Sequence, residues 1–336
     1  MNKTKHATKI YFTITFGLPI ILGIFMGMAY VNGIDTSIFP LVWMYLPAFG
    51  VMTAAILTHD NEHPIPKAFY YTFSFFTVVM IILCMVSVVI PRLYFAILIN
   101  IVAMISCPVC FIEIICMKKE KREQYGLSFT VNLKRGISGI ALFILLYLLI
   151  CLLCFAAENI FIGKTDGYAI KPDAPIYLAA MAINLLFSFT AFFGEEYGWR
   201  YFLQPILQKN FGLRRGVILL GLLWGIWHLP INLFYYSPET SLQSILTQLA
   251  GCVGMGVFFG WVYMRTRNIW AVTVIHFINN NVGNALFDAS PSGVIWDWKT
   301  TLISISVYLL VYMPFLLTKE YQAPSIIDKD KGMDNR

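Results

Sequence analysis

Residues 136–157, GISGIALFILLYLLICLLCFAA, run for 22 positions without a charge. As a helix such a run rises about 33 Å, enough to cross the roughly 30 Å hydrocarbon core of a bilayer. In lipid the backbone must satisfy its own N–H and C=O groups, so an isolated run of this kind is helical rather than extended. Residues 10–31, IYFTITFGLPIILGIFMGMAYV, repeat the pattern. That run is longer than a signal-peptide core and lacks a small-residue cleavage site, so it reads as a retained first span.

Working outward from these two runs, the spacing predicts spans at 10–31, 38–58, 69–90, 93–117, 136–157, 175–194, 215–236, 242–264, 268–288 and 300–318, with 199–212 a short helix at the interface. The composition agrees. Of 336 residues 58% are apolar and 12% charged, against about 25% charged in a soluble domain, and the mean hydropathy is +0.70. These values exclude an ordinary soluble enzyme. The expected fold is an all-α, polytopic transmembrane bundle of about ten spans in a cell membrane. Residues 1–170 form N-terminal membrane helices without an assigned role, 171–318 hold the chemistry, and 319–336 make a disordered cytoplasmic tail.

The net charge is +6, but the basic residues are scattered between apolar runs and form no single face, so nucleic acid is not an expected partner. The lipid bilayer accounts for them better. With ten spans and both termini cytoplasmic, the outward loops hold Arg92, Lys164, Lys171 and Lys299, leaving the other 20 of 24 basic residues inside, as the positive-inside rule expects. The seven cysteines, Cys84, Cys107, Cys110, Cys116, Cys151, Cys154 and Cys252, lie in or beside apolar runs. An odd count in such places reads as small packing residues, not as a disulfide framework. The pairs Cys107/Cys110 and Cys151/Cys154 have metal-like spacing, with only Glu113 near them as a further polar ligand.

An ionisable side chain inside a bilayer costs at least about 2.5–3.5 kcal/mol and marks function by default. Three clusters stand out. In the first, Glu195-Glu196-Tyr197-Gly198-Trp199-Arg200, Glu196 and Arg200 are four apart and share a helix face, while Glu195 is turned about 100° away from that partner. A carboxylate with no cation beside it in a low-dielectric cavity suits a general base. In the second, Trp224-Gly225-Ile226-Trp227-His228, a histidine sits just before Pro230, where a broken helix is tolerated if it lines a cavity. In the third, His276 and Asn280 are four apart and aim the same way, as two donors to one oxyanion would. Each cluster alone would equally serve surface solvation or helix–helix hydrogen bonding. Together they supply the parts for attack of water on an amide, or for one metal ion.

Glu195-Glu196-x-x-x-Arg200, Trp224-x-x-x-His228 and His276-x-x-x-Asn280, in that order on successive apolar helices, resemble the motifs of the CAAX protease and bacteriocin-processing (Abi) family. The likeness covers about 175–290. It implies an all-helical intramembrane endopeptidase in which Glu195 and His228 activate a water, His276 and Asn280 stabilise the oxyanion, and Glu196 and Arg200 support the first motif. It implies a peptide or lipidated protein as substrate, either prenylated CAAX-type or bacteriocin-type. If the metal-dependent description of the family applies, it implies zinc held by Glu195, His228 and His276. The second motif often begins with Phe in that family; here it begins with Trp224. A non-catalytic peptide binder or bacteriocin self-immunity protein would use the same cavity, and a transporter would show related halves that are not visible.

One difficulty is geometric. With spans at 175–194 and 215–236, Glu195 lies at a membrane edge and His228 lies 13 residues in, roughly 20 Å along a straight helix. The helices must tilt, or 225–230 must bend, for the two to meet.

Overall fold

The computed structural model describes residues 2–59, 64–163, 168–287 and 292–322. Lys164 of the outward loops and the tail from 323 onward lie outside them. Among the described residues every regular element is helical. In chain order these are α1 (Asn2–Val31), α2 (Ile38–Thr58), α3 (Lys67–Val89), α4 (Leu93–Cys116), the short polar α5 (Lys119–Gln124), α6 (Leu133–Ile162) and α7 (Ala174–Glu196). After a π-helical segment (Tyr197–Leu203) come α8 (Gln204–Phe211), α9 (Leu213–Trp227), the single turn α10 (Leu229–Ile231) and a second π segment (Asn232–Tyr236). The remaining described elements are α11 (Ser241–Thr266), α12 (Ile269–Leu286), α13 (Trp298–Tyr312) and two 3-10 turns (Met313–Leu317, Lys319–Tyr321).

Each of the ten apolar runs is helical, but the number fit to cross a membrane is smaller. Among the described residues eight helices are long and apolar enough, and the pair Leu213–Trp227 and Leu229–Tyr236, bent by 41°, would make a ninth. The expected ninth span is α12, with 18 residues. It falls short because His276, Asn279, Asn280, Asn281 and Asn284 crowd one half of it. Its start is well defined: the Asn268 side chain accepts from the backbone N–H groups of Trp270 and Ala271 and donates to Phe129 and Val131 carbonyls, a cap that also ties α12 to the loop before α6.

The expected break after 194 does not occur. Residues Ala174–Phe211 form one continuous apolar helical run of 38 residues, so 199–211 is its last third and not a separate interfacial helix. Glu195 therefore lies in the middle of a long run, away from its ends. The Glu-Glu-x-x-x-Arg cluster reads as a membrane boundary because it is polar; the structure buries it instead.

The elements divide into a core and a lipid-facing shell. α11 is the central helix, with 72% of its apolar window buried, against 17% for α6. α6 shows Ile137, Leu145, Leu148 and Leu152 on its outside, where lipid tails are as good a solvent as protein. α1 and α2 pack against α7, α10 and the second π segment, so helices outside the motif region enclose it. The first residues of the expected tail are also ordered. Lys319–Tyr321 is a 3-10 turn, and Tyr321, 3% exposed, donates from its hydroxyl to the Val257 carbonyl of α11 at 2.7 Å.

Candidate active site

The approach of α2 to the α7–π junction sets the position of the first motif. A Cβ on Gly194 would stand 2.5 Å from the Met44 carbonyl oxygen, and one on Gly198 would stand 2.2 Å from Pro47 Cβ. These two glycines let the helix backbones touch on one side, and Glu195, Glu196 and Arg200 are buried between them and beyond. The π turns that follow Glu196 widen the helix at this point, a local distortion common at functional sites.

Glu196 has both carboxylate oxygens occupied. Oε2 accepts from Arg200 Nε at 2.9 Å, and Oε1 accepts from His276 Nδ1 at 2.9 Å. All three side chains are at most 4% exposed. The i,i+4 pairing expected of Glu196 and Arg200 is present, and a histidine 80 positions away in the chain completes it. Arg200 also lays its guanidinium over the Trp224 ring (5.0 Å) and the Phe259 ring (5.3 Å), within cation–π range. Its two terminal nitrogens have no partner among the described residues.

Glu195, 2% exposed, is expected to lack the charge partner that Glu196 has in Arg200. It has no cation of its own, but two indole N–H groups meet its Oε2: Trp224 Nε1 at 2.7 Å and Trp199 Nε1 at 3.4 Å. No hydrogen bond reaches its Oε1 among the described residues.

His228 ends α9, where the run bends, one residue before α10. Its Nδ1 bonds the Trp224 carbonyl oxygen at 2.8 Å. A carbonyl can only accept, so Nδ1 carries the hydrogen and Nε2 of the neutral ring keeps a free lone pair. The break leaves polar backbone to satisfy. The Asn232 side chain donates to the His228 carbonyl at 2.9 Å and accepts from Ser244 Oγ at 2.6 Å. The neighbouring Trp227 is held from both ends, donating from Nε1 to the Thr15 carbonyl at 2.9 Å and accepting at its own carbonyl from Trp43 Nε1 at 3.3 Å. α1 and α2 thus fix the break that presents His228.

Trp224 joins the clusters. Its N–H meets Glu195, its carbonyl meets His228, and its ring lies 5.5 Å from the His276 ring at 82°. Four of the six residues singled out in the sequence, Glu195, Arg200, His228 and His276, therefore meet at Trp224, and Glu196 joins them through Arg200 and His276. The depth difficulty disappears because Glu195 is mid-run and α9 ends at Trp227, just before His228. The sixth, Asn280, is one turn beyond His276 on α12 and is exposed, with its side-chain oxygen accepting from Asn279 Nδ2 at 2.9 Å; its own amide N–H groups are not used by that bond. His276 can donate from Nε2 only as imidazolium, because its Nδ1–H is committed to Glu196.

The zinc set implied by the resemblance does not fit this arrangement. Among the described residues no three His, Cys, Asp or Glu side chains stand together as a metal ion requires, so Glu195, His228 and His276 do not form a ligand trio, and neither do the two cysteine pairs. Trp199, Trp227 and Thr15 escaped the sequence reading. A signal existed for the tryptophans, since a buried indole N–H needs an acceptor and Trp199, Trp224 and Trp227 sit inside the two motif clusters.

Comparison with known proteins bears on the same segment. Residues 177–282 match the family model described as Type II CAAX prenyl endopeptidase Rce1-like. All six candidate residues fall within them; α1 to α6 fall outside. The chain is also similar to CAAX prenyl protease 2 of Methanococcus maripaludis, with 27% identity over 121 residues, or 34% of this chain and 45% of that protein. The chain thus spans somewhat less than half the length of this curated relative.

Proposed function

We propose, from the premise that segment 177–282 of this multi-pass membrane protein is of the CAAX protease family, that the chain is an intramembrane endopeptidase acting through a water activated by Glu195 and His228. The observation that carries this reading is the half-free Glu195 carboxylate. One oxygen is pinned by indole N–H groups and the other is bare, in a buried site shared with two histidines.

The chemistry follows from the free atoms. A water placed between Glu195 Oε1 and His228 Nε2 gives one proton to the carboxylate while its second hydrogen is held by the imidazole. The water oxygen bonds to the scissile carbonyl carbon, and the carbonyl electrons move to oxygen. The oxyanion accepts N–H from His276 Nε2, in the imidazolium form, and from the exposed Asn280 amide. The amide C–N bond then breaks and the leaving nitrogen takes the proton from Glu195. Glu196 reacts with nothing. With both oxygens bonded it orients His276 and neutralises Arg200. No step is routed through a metal: among the described residues no three His, Cys, Asp or Glu side chains are grouped to hold one.

We take the substrate to be a peptide tethered to the membrane by a lipid group, the class the archaeal relative is named for. The test is cleavage of a farnesylated CAAX-type peptide by the purified protein in lipid vesicles, read by mass spectrometry. The wild type should release a carboxy-terminal peptide. Glu195→Gln and His228→Ala, at equal membrane levels, should each lose at least about a hundredfold in rate. Equal cleavage by wild type and Glu195→Gln would sink the mechanism, and a wild type that holds the peptide without cutting it would establish a binding protein instead.

A further inference from the structure

Glu195 is the only one of the paired glutamates whose orientation is not set by an ion pair, so something else must hold it. Its side chain has three rotatable bonds, and freezing such a chain opposes the entropy of its rotamers. A base must nonetheless be held within about 0.5 Å of its productive position. The structure supplies a neutral clamp. Trp224 Nε1–H reaches Glu195 Oε2 at 2.7 Å, a short bond for an N–H donor, and Trp199 Nε1–H approaches the same oxygen at 3.4 Å. An indole N–H donates and never accepts, and its bond to a carboxylate is of the stronger, charge-assisted kind.

Both indoles are themselves immobilised. Trp199 is fully buried between Phe16 of α1 (6.0 Å) and Trp227 (5.5 Å). Trp224 is 2% exposed beneath the Arg200 guanidinium. The backbone carbonyl of Trp224 also receives His228 Nδ1–H. One residue therefore sets the position of the carboxylate through its side chain and of the imidazole through its main chain. Phenylalanine at 224 would keep the backbone carbonyl and an aromatic ring and would lose the bond to Glu195 together with part of the bicyclic ring's packing.

We propose that Trp224, seconded by Trp199, is the positioning residue of the general base: its N–H locks Oε2 so that Oε1 alone faces the water shared with His228. The clamp rests on the hydrolase reading for its purpose, but not for its existence. The experiment therefore has two readouts.

The first is infrared difference spectroscopy of the purified protein in lipid. The carboxylate band of Glu195 is assigned by its loss in Glu195→Gln, then followed in Trp224→Phe. A shift of that band supports the clamp, and an unmoved band overturns it. The second is kinetic. Trp224→Phe and a protein carrying benzothienylalanine at 224, which keeps the bicyclic shape and lacks the N–H, should both lose about tenfold in kcat with KM unchanged. Should the benzothienyl protein keep the wild-type kcat, shape and not the N–H is what matters, and the proposal falls. Trp199→Phe should lose less, in keeping with its longer bond. A band shift on Trp224→Phe, together with a wild type that cuts no peptide, would leave the clamp standing and remove the hydrolase reading.

Discussion

Glu196 has both oxygens taken, one by Arg200 and one by His276, while Glu195, its neighbour in the chain, has one oxygen under two indoles and the other bare. Both are buried in the same helical run. The 100° turn between successive helix residues is all that separates them, and it sends one into an ion-paired, saturated network and the other into a cavity wall of donors with one side open. Two identical side chains in one dry site can thus divide the work. The paired one carries structure and orients a histidine. The one held only by neutral donors keeps a lone pair free, which the proposed mechanism uses. The difference is one of partners, not of depth.

The comparison is broken most directly by exchanging stability for activity. Glu196→Gln removes the counter-charge of Arg200, which is 0% exposed. Removing one partner of a buried ion pair costs about 3–5 kcal/mol, so this variant should unfold at markedly lower temperature in detergent micelles. Glu195→Gln leaves no uncompensated cation and should melt close to the wild type while losing turnover. If the two variants melt alike, the division of roles between the glutamates is wrong.

A smaller effect tests what places both glutamates. Gly198 lies against Pro47 of α2, where a Cβ would overlap at 2.2 Å with backbone atoms close behind. Gly198→Ala must push α2 away from the run that carries the motif. Overpacking of this kind costs about 1–3 kcal/mol. Unlike Glu196→Gln, it should lower stability and activity together, because Trp43 of α2 also holds the Trp227 carbonyl beside His228. Unchanged melting and unchanged turnover in Gly198→Ala would show that α2 is a bystander.

Much of this was legible in the sequence, and the limits have physical causes. Charge-free runs of about twenty residues predict helices because lipid leaves the backbone no alternative, and each such run is a helix. The Glu196–Arg200 pair follows from helical periodicity alone. The contacts that distinguish the two glutamates do not. His276 lies 80 positions from Glu196 and Trp224 lies 29 from Glu195, so local spacing carries no sign of either bond. The unbroken run 174–211 was hidden because a polar cluster looks like a membrane edge until its charges are seen to cancel internally. α12 is harder to read: its polar stripe is buried at His276 and exposed at Asn280, a difference that the four-residue spacing does not carry.

A third carboxylate offers the smallest and cleanest control. Glu320, just past the last span, has partners of the same kinds as the buried pair: the Trp261 indole N–H at 3.0 Å and Arg265 Nε at 3.5 Å. Burial alone would raise its pKa, but its own backbone N–H, the Trp261 indole, the Thr318 hydroxyl and Arg265 together hold it below the usual carboxylate value. A depressed folded-state pKa means that the stability it lends is complete above the unfolded-state pKa and is lost as the pH falls through the folded one. Arg265 is 37% exposed, so water screens the pair and its worth is about 0.2–1 kcal/mol. Glu320→Gln should therefore lower the melting temperature slightly at neutral pH, and the gap from the wild type should close on acidification. A loss as large as that of Glu196→Gln would mean that the kinds of partner set the energy, and that exclusion of water around Glu196 contributes nothing to the contrast between these carboxylates.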